Sequence, residues 1–251
     1  MLACFDIGGS QIKAAFSQAP GEIAETGSLP TPLDDFNAFA GAISTLITRA
    51  IHPVKGVAIS TTGVVDPATG RLTCANIPCI HGRTLAADLS KALRLPVFIA
   101  NDADCFALAE ALEGAGRGHR VVFGIILGSG VGGGLVIDGR IVTGAGGYAG
   151  EWGHGMALQT RAGTPPVEVP HVPCPCGSAG CVNTVGGARG LERLFMSFTG
   201  KDAPSVDIVA QWCGGDVEAS RVIDVYLDLV STVLALALNI TGATIVPVGG
   251  G

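Results

Sequence analysis

Three thiols crowd into eight residues at Cys174-Pro-Cys176-Gly-Ser-Ala-Gly-Cys181, separated by glycines that free the backbone to wrap an ion. Three thiolates and one imidazole make a closed tetrahedral site, the pattern of structural Zn²⁺. His154 and His171 compete for the fourth position. The other five cysteines, Cys4, Cys74, Cys79, Cys105 and Cys213, show no such spacing and read as buried or incidental thiols. A second chemical stretch is Asn101-Asp102, where an apolar strand (97–100) hands over to a helical pattern (103–112). A carboxylate there lies at the carboxyl end of a sheet, where α/β proteins place ligands. The competing reading makes Asp102 a helix N-cap only.

Two further stretches join glycines to one hydroxyl: Asp6-Ile-Gly8-Gly9-Ser10-Gln-Ile-Lys13 and Gly128-Ser129-Gly130-Val-Gly-Gly-Gly134. Glycine lets the backbone come within hydrogen-bond distance of a polyanion, and the hydroxyl adds a neutral donor. Neither is a P-loop, since no Gly-Lys-Ser/Thr opens a helix, and strand rather than helix follows the glycines. Singly, each reads as a tight hairpin; two of them beside Asn101-Asp102 suit the phosphates of ATP, with Asp6 placed to hold a hydrated Mg²⁺. Glu151 and His154 are three apart in Gly150-Glu151-Trp152-Gly153-His154 and can face one pocket, where the carboxylate would accept hydroxyl hydrogen bonds. A surface acid and a core histidine are the alternative.

The elements that must position these residues form two similar series. Strands at 2–7 and 11–17 flank the first glycine turn; a third strand at 22–29 follows. A helix capped by Asp34 or Asp35 runs to about Ile51, then come a strand at 54–60, a loop with Gly63, Asp66 and Gly70, and a helix at 85–93. Residues 1–118 form a first lobe and 119–251 a second. The second lobe opens as the first does, with strands at 121–127 and 131–137 around the second glycine turn, an Asp138-Gly139 hairpin and a strand at 140–143, which suggests a duplicated unit. Beyond a glycine-rich loop (144–150) and a Pro-rich segment (159–175), the chain reads as helices, the longest at 217–239. A last strand at 243–248 runs into Gly249-Gly250-Gly251.

Composition narrows the function. With 251 residues, 48% hydrophobic content and 38 glycines, the chain suits an α/β enzyme with buried strands. The formal charge of −6 and scattered cations leave no phosphate-backbone footprint, so nucleic acid is not an expected partner. The most apolar run, 225–240, is interrupted by Asp228 and Asn239, and no membrane partner is expected. The N-terminus opens directly into a strand, without a signal-peptide pattern, so a cytoplasmic protein with reduced or metal-bound cysteines is expected.

Along its whole length the chain resembles the ROK family, the sugar kinases and related repressors of the hexokinase–actin ATPase superfamily. The resemblance rests on the first glycine turn, Gly63-Val-Val-Asp66 with Thr69-Gly70, Asn76-Ile-Pro78, Asn101-Asp102-Ala-Asp104-Cys105-Phe-Ala-Leu, the second glycine turn, Gly150-Glu-Trp-Gly-His154, the cysteine cluster and the closing glycines. It implies an α/β fold of two ribonuclease-H-like lobes of the actin/hexokinase type with the active site in the cleft between them. It makes Asp102 the general base that takes the proton of a sugar hydroxyl, by analogy the 6-hydroxyl, as that oxygen attacks the γ-phosphorus of ATP. Substrate contacts are then Asn76, Asn101, Asp102, Glu151, His154 and Asn183. Nucleotide contacts are Asp6, Gly8, Gly9, Ser10, Lys13, Gly128, Ser129, Gly130, Gly249 and Gly250. The zinc ligands are His154, Cys174, Cys176 and Cys181, with His171 the rival on proximity, and Asp104 is a first-turn helix acid.

Departures from the family pattern are specific. Ser10 and Ser129 stand for the usual threonines, Thr62 for a proline, and Asn183 for the sugar-contacting glutamate after the third cysteine. The spacing from His154 to Cys174 and the Asn76 segment look most like bacterial N-acetylglucosamine kinases, whereas Glu151-Trp152 looks more like fructokinases. An N-acetylhexosamine, N-acetyl-D-glucosamine first, is therefore the expected acceptor, and a plain hexose the alternative. A sugar-responsive repressor or non-catalytic sensor is the reading from another class; repressors carry a helix-turn-helix ahead of the first strand, and this chain begins at that strand. A homodimer is implied, as are further helices beyond the triple glycine.

Overall fold

The computed structural model describes residues 1–19 and 21–250, so Gly251 lies outside the described residues. The chain packs as two compact units, Met1–Cys105 with Thr143–Ala149, and Phe106–Val142 with Gly150–Gly251.

In the first unit, β1 (Leu2–Ile7) alternates buried Ala3, Phe5 and Ile7 with more accessible positions and pairs antiparallel with β2 (Gln11–Ser17). Antiparallel β3 (Ile23–Pro30) adds on the far side of β2. Helix α1 (Phe36–Ile47) starts where the Asp35 carboxylate accepts the Asn37 N–H at 2.7 Å. It stops four residues short of the expected end: the Arg49 and Ala50 N–H groups bond back three residues, tightening the last turn, and Pro53 follows. β4 (Gly56–Thr61) lies parallel to β1, and β7 (Val97–Asn101) parallel to β4, giving the order β3-β2-β1-β4-β7 once β5 (Val64–Val65), β6 (Leu72–Thr73) and α2 (Leu85–Leu93) are counted between them in the chain. Phe39, Ile43 and Leu46 of α1 and Leu89 of α2 are wholly buried against this sheet's cluster.

Helix α3 (Asp102–Glu113) follows β7 without a loop. Its small side chains Ala107 and Ala111 pack with Val122 and Val136 of the second sheet. The boundary between units therefore falls at Cys105/Phe106, ahead of the expected 118/119, because α3 gives its apolar face to the later strands.

In the second unit, β8 (Val121–Leu127), β9 (Val131–Ile137) and β10 (Arg140–Ile141) form an antiparallel meander, turned at Asp138-Gly139 with φ of 51° and 72°. After the two-stranded ribbon of β11 (Arg161–Ala162) and β12 (Val167–Glu168) come α4 (Ala188–Thr199), α5 (Ser205–Cys213) and α6 (Val217–Thr241). Strand β13 (Val248–Gly249) closes the order β10-β9-β8-β13, parallel to β8. This order repeats, with the same senses, the β3-β2-β1-β4 part of the first sheet, so the duplication suggested by the sequence exists in topology. The last strand is shorter than its expected 243–248. Ile245 and Pro247 carbonyls accept from Phe123 and Ile125, but Pro247 has no N–H to return.

Helix α6 is 25 residues long and apolar enough to meet the length and composition of a membrane span, which the residue-by-residue reading of 225–240 did not expect. Ala219, Val222, Ile223, Val225, Leu229, Val230 and Val233 are nevertheless buried in the second core with Phe123, Leu191 and Phe195. Its Asp224 and Asp228 carboxylates accept the Thr164 and Gly163 N–H groups, both at 2.8 Å, and so tie the ribbon to the helix.

Because Phe39 is 0% exposed at the centre of the first cluster, Phe39→Ala should cost about 3–5 kcal/mol of unfolding free energy. Urea melts followed by circular dichroism measure this; an unchanged midpoint would contradict the packing.

Candidate functional site

At the β7–α3 junction the helix cap is Asn101. Its Oδ1 accepts the Ala103 N–H at 2.8 Å and the Asp104 N–H at 3.2 Å, while its Nδ2 donates to the Gly63 carbonyl at 2.9 Å. With those helix donors met by Asn101, Asp102 is not needed as the cap. Its carboxylate still takes a short-range bond from the Ala103 N–H at 2.9 Å, which fixes its rotamer. Asp102 keeps access to solvent, yet protein atoms crowd its carboxyl. That desolvation raises its pKa above the ordinary 3.8, against the pull of the Ala103 N–H and with help from the charge of Asp6. Asp104, the next acid of the first turn, is buried at 7% exposure.

The first glycine turn is held from beneath by threonines that sequence reasoning missed. Thr31 Oγ1 donates to the Gly8 carbonyl at 2.7 Å, the Thr31 N–H to Ser10 at 3.1 Å, and buried Thr61 donates to Ile7 at 3.3 Å. Both threonines are under 9% exposed, and a hydroxyl residue abutting a strand next to a glycine turn was the available signal. The structure brings Asn76 to this turn: its carbonyl would lie 3.5 Å from a Cβ on Gly9, and its Nδ2 is 3.5 Å from Thr62 Oγ1. Asp6 and Lys13 are register partners across β1 and β2, with Nζ and Oδ2 3.8 Å apart and both exposed.

The second glycine turn is packed on three sides within its own unit. The Gly128 N–H bonds the Gly130 carbonyl at 3.0 Å, and the Ala188 N–H of α4 bonds the Gly128 carbonyl at 2.8 Å. Gly250, at φ +119°, passes so close to the Leu127 carbonyl and the Gly128 nitrogen that no side chain fits there. Gly250 thus lies against the start of this turn, and Gly249 is paired with Ile126 just before it. Asn183 completes the packing: its Oδ1 accepts the Val131 N–H at 2.9 Å and would be 2.5 Å from a Cβ on Gly130, so only glycine admits the amide.

Residues 150–154 are pinned by Trp152, another residue whose role was not anticipated. Its Nε1 donates to the Gly132 carbonyl at 3.0 Å, and its ring meets Phe123 edge-on at 6.4 Å. The pinned loop directs His154 both ways. Nδ1 lies 3.6 Å from Cys174 Sγ, and Nε2 lies 3.8 Å from Glu151 Oε2. Metal-ligating imidazoles are often oriented by a carboxylate on the second nitrogen in this manner.

The ligand atoms of His154, Cys174, Cys176 and Cys181 lie within 4.8 Å of one another. His171 sits apart from the four: its Nε2 meets the Leu158 carbonyl at 2.8 Å, and Gly180 packs on its ring. Proximity in sequence was a poor guide here, because the chain turns His171 onto its own loop. All eight cysteines are free thiols. Within the cluster a bond from the Ser178 N–H pulls Cys176 down to about 6, whereas burial pushes Cys181 up to about 12. A dication among these donors would hold all three as thiolates.

The ROK family model matches residues 2–251, and the chain belongs to the ROK family. It is 35% identical over 98% of its length, and 82% of the relative's, to the N-acetyl-D-glucosamine kinase of Pectobacterium atrosepticum. Identity is 36% with the enzyme of that name from Escherichia coli O157:H7, over 98% of this chain and 82% of the relative. Among solved structures it is similar to a ROK hexokinase from Thermus thermophilus, with a TM-score of 0.83, 27% identity, and coverage of 100% of this chain and 81% of that one. It also resembles a ROK glucokinase from Streptomyces griseus crystallised with glucose and AMPPNP, with a TM-score of 0.78, 26% identity and coverage of 100% and 83%. The architecture is thus the two-lobed α/β fold of ROK sugar kinases.

If the four clustered side chains form one tetrahedral site, cobalt(II) titration should saturate at a single ion per chain with strong thiolate-to-metal absorption. Cys181→Ser should abolish that saturation and His171→Ala should leave it intact; the reverse pattern would move the ligand set.

Proposed function

We propose that this protein is an ATP-dependent kinase that phosphorylates the 6-hydroxyl of N-acetyl-D-glucosamine. The observation that carries the reaction type is Asp102, a carboxylate fixed at the start of α3, open to solvent and desolvated enough to raise its pKa. The choice of sugar is supported by relatives bearing the N-acetyl-D-glucosamine kinase name at 35% and 36% identity over nearly the whole chain. A plain hexose is the second reading, since the similar Streptomyces griseus structure is a glucokinase with glucose.

Asp102 accepts the proton of the sugar hydroxyl while that oxygen attacks the γ-phosphorus in line. The bond from γ-phosphorus to the bridging oxygen breaks, and ADP carries away the electron pair. A raised pKa suits this task, because the conjugate acid formed during transfer is less costly. Gly9 and Ser10, with Ser129, Gly130, Gly249 and Gly250, line the phosphates, while Gly8 and Gly128 shape the two turns through their own N–H bonds to Gln11 and Gly130, and Lys13 adds a charge. Asn76, Asn101, Glu151 and His154 hold sugar hydroxyls. Asn101 commits Oδ1 to the helix and an Nδ2 hydrogen to Gly63, and its amide also hydrogen-bonds the Asp102 carboxyl, so it helps to set the base in place.

Asp6, exposed at the end of β1, fits a hydrated Mg²⁺, which when bound would neutralise phosphate charge. The three-sulfur, one-nitrogen set fits a structural Zn²⁺, held by His154, Cys174, Cys176 and Cys181. Through His154 such an ion would also fix the Glu151 loop. A cytoplasmic homodimer, with small molecules rather than nucleic acid or membrane as partners, completes the reading.

ADP release with N-acetylglucosamine, N-acetylmannosamine, glucose and fructose tests the proposal; the first should give the highest kcat/KM, and no ADP release with any would overturn it. Asp102→Asn should lower kcat by about 10²–10⁴-fold with little change in sugar KM. In the wild type the base must be ionised, so kcat/KM falls as pH drops through the Asp102 pKa. Because that pKa is raised, the acid limb should lie above pH 3.8. Near-normal turnover in the variant would remove Asp102 from the chemistry.

A further inference from the structure

Asn183 joins three things that are far apart in sequence. Its backbone N–H donates to the Gly153 carbonyl at 2.8 Å, one residue before the His154 ligand. Its side-chain Nδ2 points at Cys174 Sγ at 3.8 Å, a distance suited to a weak N–H···S bond. On the other side, Oδ1 takes the Val131 N–H at 2.9 Å, directly after the Gly128–Gly130 turn. The single-turn helix 182–184 carries it, wedged between buried Cys181 and Thr184. Thr184 is itself anchored, its hydroxyl donating to Cys181 at 2.7 Å and its carbonyl accepting from Arg193 at 2.6 Å, so the amide has little freedom to turn away.

The chemistry of the amide matters. It presents an acceptor to a backbone N–H and a donor to a sulfur at the same time, whereas a carboxylate offers acceptors only and would add negative charge beside thiolates. A sulfur bound to a metal is a thiolate, fixed in place and a better acceptor than a thiol, so occupancy of the cluster orients the amide, and the amide orients Val131. Where two ligands each favour one arrangement of a shared element, their affinities must be coupled equally in both directions.

We propose that Asn183 is a positioning residue that couples metal occupancy of the Cys–His cluster to the Gly128–Gly130 turn, so that metal and nucleotide strengthen one another's binding. The coupling rests on the reading of that turn as a nucleotide contact. It assigns Asn183 a role different from that of a sugar ligand, with both ends of its amide directed to the protein.

The test is calorimetric ADP binding to zinc-loaded and zinc-depleted protein, with the fold of each checked by circular dichroism. Wild type should bind ADP about tenfold more weakly after depletion. Asn183→Ala, which loses both arms, should bind weakly whether loaded or not. Asn183→Asp, which keeps the acceptor for Val131 but not the donor to sulfur, should bind ADP with an affinity that depletion changes less than about twofold. An Asn183→Ala or Asn183→Asp protein with the full wild-type dependence on zinc would overturn the coupling alone. Absence of ADP binding by loaded wild type would overturn the proposed function and the coupling with it. If a depleted protein does not stay folded, hydrogen exchange of the Val131 amide in the loaded proteins decides. Faster exchange in Asn183→Ala than in wild type supports the role, and equal protection overturns it.

Discussion

The hand-over from β7 to α3 depends on the Asn101 amide, and the setting of the Asp102 carboxylate depends on that hand-over. An α-helix begins with N–H groups that have no partner within the helix, and something must accept from them. Here the strand's last residue does so, while its other amide end grips the Gly63 carbonyl from the loop beyond β4. Asp102 therefore begins the helix without serving as its cap, its carboxylate held by the Ala103 N–H and the Asn101 amide. The same absence of a loop puts the carboxylate among crowded protein atoms, and its raised pKa follows from that crowding.

The second unit solves a different problem, the close approach of backbone to backbone. Residues 128–130, 183–188 and 249–250 converge, and glycine occurs wherever a side chain would collide, as at Gly130 against Asn183 and Gly250 against Leu127. Such packing holds a turn rigid without filling the space in front of it with side chains. Trp152 does the equivalent for residues 150–154, locking its indole onto Gly132 so that His154 and Glu151 are held by a buried anchor. Burial of the anchor, with exposure of the chemical groups, is the common arrangement in both units.

Comparison of the two sheets ties these solutions together. Each opens with an antiparallel pair around a glycine–hydroxyl turn, and each then adds a parallel strand beside the first. The copies differ in what supports the turn: Thr31 and Thr61 in the first, Asn183 and the start of α4 in the second. Support by an amide that also reaches Cys174 links the second turn to the Cys–His cluster, and the first has no counterpart of that link among the described residues.

By itself the sequence determined the local features. Short apolar runs on either side of a glycine turn specify β1, β2, β8 and β9; Asp138-Gly139 specifies its hairpin; and three cysteines in eight residues specify most of a cluster that could hold a metal. Each of these signals lies within a few residues of chain, where periodicity and side-chain chemistry suffice. Tertiary structure alone decided between His154 and His171, made Asn101 rather than Asp102 the helix cap, and turned the Asn183 amide toward Val131 and Cys174. It also shortened the last strand and gave the last two thirds of α3 to the second unit. These outcomes share a cause: each is a choice between partners that are distant in sequence, settled by which buried donors and acceptors the packed chain brings within hydrogen-bonding distance.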